Sequence, residues 1–166
     1  MASWRRMTVD DIPELLRVAD AVHPDLPESD YVFTERVQLF PEGCLMLSVG
    51  DKIYGYAISH PIRHGQPPAL DSLLHEIPGD ADQYYIHDVA ILPELRERGH
   101  AATGIRMLLE VASRFPTTCL VSVYGTGSFW QRFGFEAEAV DEVLSKKLRN
   151  YGDDAVYMCR KNCAAS

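Results

Sequence analysis

One segment in the middle of the chain combines a buried strand, a proline and a glycine-containing loop that opens a helix. It reads Asp88-Val-Ala-Ile-Leu-Pro-Glu-Leu-Arg-Glu-Arg-Gly-His-Ala-Ala-Thr103. Pro93 cannot donate a ladder hydrogen bond, so strand pairing must end near it. Gly99 lets the main chain approach a ligand closely, and the unpaired amides at the start of the next helix carry a partial positive charge. The segment therefore predicts an anion site that suits a pyrophosphate.

The side chains around this loop are consistent with such a site. Arg96 and Arg98 add positive charge, and the small residues Gly99, Ala101 and Ala102 leave room for phosphate groups. The alternative is that Gly99 only begins a helix and the alanines only pack against the sheet. On this motif alone both interpretations stay open.

The strand that leads into the segment carries a candidate proton acceptor. His87 has a side chain whose unperturbed pKa suits proton transfer from an amine. Strand alternation predicts that Tyr85, His87 and Val89 share one face and that Asp88 points to the other, which argues against Asp88 as the direct base. Tyr85 is a candidate to line the substrate site beside His87. The alternatives are a histidine that only bonds within the sheet and a Tyr85 ring that only packs in the core.

The elements that must position these residues follow from hydrophobic periodicity. The 166 residues are 46% hydrophobic and 24% charged, which is typical of one globular domain, and we assign the whole of 1–166 to it. Because a strand, a helix and a strand follow in order around the glycine loop, those two strands should be parallel neighbours. The fold class is therefore α/β, a mixed sheet with one parallel pair. We predict strands at 4–7, 44–49, 53–58, 84–92, 118–123, 135–140 and 155–160, and helices at 9–22, 29–40, 99–114 and 127–133.

The segment 60–82 is long and rich in proline, with little periodicity. Leu70, Leu73 and Leu74 have the spacing of one helical turn. Connections of this length are usually functional or mobile, so the segment is a candidate substrate flap.

Charge and cysteine content restrict the class of protein. Twenty-four acidic and 16 basic residues give a net charge of −8, which disfavours nucleic-acid binding and permits a cationic acceptor. The four cysteines, Cys44, Cys119, Cys159 and Cys163, lack paired metal spacing, so we expect reduced thiols, no metal site and a cytoplasmic protein. No apolar run approaches the ~20 residues that cross a bilayer, and no signal peptide is expected.

Two motifs resemble those of the GNAT superfamily of N-acetyltransferases. Arg96-Glu-Arg-Gly-His-Ala101, approached by Val89-Ala-Ile-Leu-Pro93, is similar to the family's Arg/Gln-x-x-Gly-x-Gly/Ala signature. Phe129-Trp-Gln-Arg-Phe-Gly-Phe135 is similar to a later Phe-Tyr-x-x-x-Gly-Phe segment of the family. The predicted order of elements matches the fold of this family over nearly the whole chain.

The resemblance implies acetyl-coenzyme A, bound where two parallel strands splay apart, and an amine acceptor. Main-chain groups of Val89 and Ile91 would bond the pantetheine arm like an added strand, and a bulge in the fourth strand would aim an amide at the thioester carbonyl, for which Ile91 is the candidate. The position of His87 resembles that of a base-like histidine in one family member. The coenzyme contacts implied are Val89, Ala90, Ile91, Arg96, Arg98, Gly99, His100, Ala101, Ala102, Phe129 and Trp130.

The chain departs from the family where a tyrosine often protonates the departing thiolate, because Trp130 stands there and indole cannot serve as that acid. Either Tyr124 replaces it, or the thiolate leaves without a dedicated donor. Covalent acetylation of Cys119 is a weaker alternative to direct transfer in a ternary complex.

Three functions remain open on the sequence: an N-acetyltransferase for a primary amine, a non-catalytic acyl-coenzyme A-binding module, and a nucleotide-binding domain. Acidic residues in the segment 60–82, namely Asp71, Glu76, Asp80 and Asp82, permit a polyamine or another cationic acceptor. A homodimer is expected only because dimers are the commonest assembly; no feature of the sequence indicates one.

Overall fold

The computed structural model describes residues 1–162, so Cys163 of the predicted reduced thiols lies outside the described part. Its helices and strands run in the following order: β1 Ala2–Arg6, α1 Ile12–Val22, α2 Asp30–Leu39, β2 Cys44–Val49, β3 Lys52–Ile62, β4 Gln83–Ile91, α3 His100–Ala112, β5 Thr117–Ser122, α4 Gly127–Gln131, β6 Glu136–Ala137, α5 Glu142–Arg149 and β7 Val156–Lys161. Single-turn 3-10 helices occur at Val9–Asp11, Pro41–Gly43 and Pro93–Leu95.

All seven strands of the described residues form one mixed sheet in the order β1-β2-β3-β4-β5-β7-β6. Every neighbouring pair is antiparallel except β4 and β5, which are parallel and are joined through α3. This confirms the predicted α/β class with one parallel pair, because a strand-helix-strand crossover returns the chain in the same direction.

The sheet separates two main apolar clusters. Leu15 and Val18 of α1 pack on one face with Phe33 of α2, whereas Ile105 and Leu108 of α3 pack on the other. Helices α1 and α3 thus bury their apolar stripes against the sheet. No helix among residues 1–162 has the length and apolar character that crossing a membrane would require.

Strand β4 contains one residue too many for its partner β3. Ser59 is opposite Ile86 and Ile58 is opposite Asp88, so His87 has no partner and β4 bulges there. The parallel pairing with β5 covers only Tyr84 to Ile86 and stops at the same point. The two parallel strands therefore part at the bulge.

Three parts of the sequence prediction are wrong in detail. Strand β3 continues to Ile62 through Pro61, because β2 pairs only as far as Ile58 and the missing N–H of Pro61 faces no neighbour on that side. The predicted strand 135–140 contains only Glu136–Ala137, and helix α5, which was not predicted, follows it. The side chain of Asp141 caps α5 by accepting from the Leu144 amide at 2.8 Å.

The segment between β3 and β4 contains no helical turn at Leu70, Leu73 and Leu74. It is anchored rather than free: Glu35 accepts from the amides of Leu74 and His75, and the buried Arg36 donates to the Ser72 carbonyl. A flap that opens by itself would have to break these bonds.

Gly104 of α3 lets the Trp4 ring of β1 pack against the first turns of the helix. A Cβ on Gly104 would lie 2.6 Å from the Trp4 ring, whose Nε1 donates to the His100 carbonyl at 2.8 Å. The ring thereby holds the first turn of α3.

We predict that Gly104→Ala destabilises the protein by about 1–2 kcal/mol, because overpacking costs about 1–3 kcal/mol and the gain in helix propensity offsets up to about 1. In a Trp4→Ala background the same change should become stabilising, because only the propensity term remains. Urea unfolding of the four proteins measures this, and an equal effect in both backgrounds would contradict the contact.

Candidate functional site

A cavity of about 890 Å³ lies where β4 and β5 part. It is bounded by the second half of β4, the end of β5, the start of α3 and the aromatic residues of α4. Twelve of the fourteen residues singled out from the sequence line it: His87, Val89, Ala90, Ile91, Arg96, Gly99, His100, Ala101, Ala102, Tyr124, Phe129 and Trp130.

The other two, Tyr85 and Arg98, are not among the lining residues. Tyr85 is fully buried and packs with Cys119, Leu144 and Tyr157, so the core interpretation of its ring is the one that the structure supports. Burial, and next the neighbouring Tyr151 hydroxyl, raise the pKa of Tyr85. Arg98 is exposed.

Main-chain groups of β4 face the gap. The Leu92 amide donates to the Tyr54 carbonyl of β3 at 2.7 Å, and because successive N–H groups alternate sides, those of Val89 and Ile91 point away from β3. The β4 edge past Ile86 has no partner on β5, so these groups border the gap. The Ile91 carbonyl accepts from Arg96 Nε at 2.9 Å, which fixes the arginine beside the strand.

The loop before α3 presents amides to the same cavity. Gly99 has a φ of 81°, in the left-handed region that favours glycine, and Glu97 has a φ of 63°. The first helical hydrogen bond runs from the Thr103 amide to the Gly99 carbonyl at 3.2 Å. The preceding amides of α3 therefore have no partner within the helix and carry the positive end of its dipole.

A histidine–carboxylate pair lies at the bulge. His87 Nε2 donates to Glu28 Oε1 at 2.6 Å, and their side chains are 1% and 5% exposed. Burial would raise the pKa of Glu28, but the charge and hydrogen bond of His87, the Asp71 amide and Arg36 outweigh it and lower that pKa to about 2. His87 Nδ1 is buried and has no hydrogen-bond partner.

The bulge corrects the predicted faces of β4. His87 and Asp88 both turn toward the side of α1 and α2, whereas Ile86 and Val89 both pack with the α3 cluster. The prediction that Val89 shares a face with His87, and that Asp88 opposes it, is wrong because the extra residue shifts the alternation. Ile91 lies four residues past the bulge in regular register with Gly55.

A second pair lies beside the first. His23, at the C-terminus of α1, donates from Nε2 to Asp88 Oδ1 at 2.9 Å, and the Tyr56 hydroxyl donates to Asp88 Oδ2. The His23 ring stacks on Tyr124, with centroids 5.7 Å apart. Tyr124 has a φ of 55° and is 46% exposed; partial burial, then Asp25 and Asp88, raise its pKa.

The family model for the acetyltransferase (GNAT) family matches residues 9–135, three quarters of the chain. The chain belongs to the GNAT family. A search of curated proteins found no significant match.

Solved structures show the same fold at low identity. The loading GNATL domain of CurA from Lyngbya majuscula is 16% identical with a TM-score of 0.78, covering 97% of this chain and 98% of that one. The GphF GNAT-like decarboxylase in complex with isobutyryl-CoA has 13% identity and a TM-score of 0.78, covering 97% and 100%. Arabidopsis thaliana Naa50, in complex with the bisubstrate analogue CoA-Ac-MVNAL, is 13% identical with a TM-score of 0.71, covering 95% of this chain and 96% of that one.

The sequence did not predict a role for Glu28 or His23. In the structure Glu28 pairs with His87 and His23 pairs with Asp88, and all four residues line the cavity. Glu28 and His23 both lie between α1 and α2, where His23-Pro24 and Pro27-Glu28 mark only the ends of helices in the sequence. A contact 65 residues away in sequence, as between His23 and Asp88, has no local signal. The one available signal was that a histidine and a glutamate lie in the short connection between the first two helices.

The acidic residues singled out in the segment 60–82 do not line the cavity. Asp71 accepts from the Ser29 amide, Asp80 pairs with Arg63, and Asp82 accepts from the His64 amide. These carboxylates hold loops together. The carboxylates that line the cavity near the bulge are Glu28 and Asp88.

Cys119 is buried, and burial raises the pKa of its thiol, which disfavours the thiolate needed for covalent catalysis. It lies opposite Cys159 in the β5–β7 ladder, and both are free thiols. Residues 1–162 contain no cluster of three His, Cys, Asp or Glu side chains arranged to hold a metal ion.

The lowered pKa of Glu28 makes stability depend on pH. Because the folded pKa is about 2 and the ordinary value is 4.5, the stabilising contribution is complete above about pH 5 and is lost as the pH falls toward 2. We predict that Glu28→Gln lowers the free energy of unfolding at pH 7 by on the order of 2 kcal/mol. It should also flatten the fall in stability between pH 5 and pH 2.

Urea midpoints measured across this range check the prediction. Glu42→Gln is the matched control, because Glu42 pairs with Arg114 at the exposed surface. Parallel pH profiles for Glu28→Gln and the unmodified protein would contradict the buried pair.

Proposed function

We propose that this GNAT protein transfers an acetyl group from acetyl-coenzyme A to a primary amine, directly and in a ternary complex. The observation that carries the proposal is the gap between β4 and β5, which joins an unpaired strand edge, a helix N-terminus and a buried histidine–carboxylate pair in one cavity. The neighbours that hold coenzyme A derivatives have the same fold and support this use of the gap.

The residues present fit the coenzyme. The amides before Thr103 would bind the pyrophosphate, and the edge of β4 at Val89 and Ile91 would bind the pantetheine amides. The rings of Phe129 and Trp130 wall the cavity, with the Arg132 guanidinium 5.8 Å from the centre of the Phe129 ring. When bound, acetyl-coenzyme A supplies an activated thioester.

Val89 is a better candidate than Ile91 for stabilising negative charge on the thioester oxygen. Its amide is the first one past the bulge that faces the gap, and it lies two residues from His87. A main-chain donor at this place is fixed before reaction, so it needs no reorganisation.

His87 is the proposed base. A primary amine with a pKa near 10 is only about 0.1% neutral at pH 7, so a proton must leave before or during attack. Because Nε2–H is bonded to Glu28, the neutral ring carries its lone pair on Nδ1. This nitrogen is buried without a partner and is the atom that would take the proton.

The acceptor would enter on the side of Leu26, Leu70 and Tyr151, which line the same cavity. Glu28 and Asp88 are each bonded to a histidine, so the acidic charge available to attract a cationic acceptor is partly neutralised there. A cationic acceptor and a homodimer stay predictions.

We also propose that the whole chain acts as one domain in the cytoplasm. All strands of residues 1–162 belong to one sheet, and the three described cysteines are free thiols, which supports a reducing compartment.

The second candidate is a non-catalytic acyl-coenzyme A-binding module. Trp130 favours it, because the indole at this position cannot protonate a thiolate.

Release of coenzyme A thiol from acetyl-coenzyme A across a panel of amines and short peptides separates the two candidates. We predict thiol release in the presence of an amine, with an equal amount of N-acetylated product by mass spectrometry. Tight binding of acetyl-coenzyme A without release for every acceptor would favour the module. Binding of NAD or ATP in preference to acetyl-coenzyme A would overturn both.

Gly99→Ala tests the anion loop. The change strains a left-handed position and places a methyl group at the amides, so we predict at least tenfold weaker binding of coenzyme A by calorimetry. Gly50→Ala is the matched control, because Gly50 also has a left-handed φ, of 59°, and lies in the β2–β3 turn away from the cavity. Equal affinities for the two variants would contradict the loop as the binding site.

A further inference from the structure

Each of the two residues of the β4 bulge belongs to a histidine–carboxylate pair. The strand supplies the histidine of one pair and the carboxylate of the other. His87 of the strand is held by Glu28 of the α1–α2 connection, and Asp88 of the strand holds His23 at the end of α1. Both histidines line the same cavity, and both have a buried Nδ1 without a partner. The proposed base accounts for only one of these pairs.

We propose that His23, oriented by Asp88, is the general acid that protonates the leaving thiolate. This rests on the proposed acetyl transfer. The sequence places Trp130 where such a donor is expected, and Tyr124 is the alternative that lines the cavity. His23 lies beside Tyr124 and β4, with its ring stacked on Tyr124 and its Nε2 bonded to Asp88.

The geometry fixes which nitrogen would act. Asp88 is held at both oxygens, by His23 Nε2 and by the Tyr56 hydroxyl, so it cannot turn away. In the imidazolium form His23 then keeps Nε2–H on Asp88 and has Nδ1–H free to donate. Its place at the C-terminus of α1 adds the negative end of the helix dipole, which favours the charged ring.

The groups around the His23 ring also favour its protonated form. Burial alone would lower its pKa, but the charge and hydrogen bond of Asp88 and the charge of Glu28 raise it above the ordinary value, against a smaller opposing effect of Arg96. The titratable and charged side chains that border or act on the ring are Asp20, Glu28, Tyr56, Asp88, Arg96 and Tyr124.

The proton balance of one turnover is closed. A bond forms between the amine nitrogen and the acyl carbon, and the carbon–sulfur bond breaks with its electron pair passing to sulfur. An ammonium acceptor loses two protons to His87 Nδ1, one before attack and one as the carbon–nitrogen bond forms, and His87 passes each of them to solvent. His23 Nδ1 gives its proton to the sulfur and regains one from solvent, so one proton is released per turnover and acid and base are separate residues.

The pH dependence of kcat at saturating substrates tests the inference. We expect kcat to fall at high pH as His23 loses its proton. His23→Gln should lower kcat by about 100-fold, the lower end of general acid catalysis because a thiolate leaves readily, and should abolish the fall at high pH. The KM values should change by less than about threefold, because an acid acts in the chemical step.

His64→Gln is the control, since His64 is exposed and lies outside the cavity, and it should retain the parent profile. If His23→Gln does not fold, Asp88→Asn serves, because it keeps a partner for Tyr56. It should move the high-pH limb to lower pH and lower the His23 pKa measured by imidazole ¹⁵N NMR without coenzyme.

The outcomes separate the two proposals. No turnover by the unmodified protein with any acceptor overturns the proposed function and this inference together. Turnover whose high-pH limb survives in His23→Gln, or stays in place in Asp88→Asn, overturns the role of His23 alone.

Discussion

The extra residue at His87 in β4 is the constraint on which the rest of the site depends. A sheet can absorb one additional residue only by turning two neighbouring side chains to the same side, and here those side chains are His87 and Asp88. The same distortion ends the parallel pairing with β5 after Ile86. One local irregularity therefore opens the cavity and aims two titratable groups at it.

The two buried polar side chains at the bulge, His87 and Asp88, would destabilise the fold if the connection between α1 and α2 did not bond them. Glu28 and His23 supply the partners, and Glu28 also accepts from the Asp71 amide, which ties the long β3–β4 segment to the site. Buried polar groups of this kind are tolerated only when they are bonded. The site is thus held by elements that are distant in sequence and that only folding brings together.

Local patterns predicted what local physics decides. The alternating and helical periodicities gave nearly every element, and the glycine loop at 96–102 was placed correctly at the start of α3 because helix geometry requires amides there. Helix α5 was missed because its apolar content is low. The predicted side-chain faces of β4 were wrong after His87, because a bulge depends on the register with β3. That register cannot be deduced from the residues of β4 alone. His23 and Glu28 were missed for the same reason: their roles come from tertiary contacts.

We propose that the unpaired main-chain edge of β4 is the place where the thioester carrier is held. Amide hydrogen exchange, followed residue by residue by ¹⁵N NMR with and without coenzyme A, observes this edge directly. We expect the amides of Val89 and Ile91 to exchange rapidly alone and to become strongly protected when the coenzyme is added, together with those of residues 99–102. Saturating coenzyme that protects other amides but leaves the exchange of Val89 and Ile91 unchanged would contradict the account.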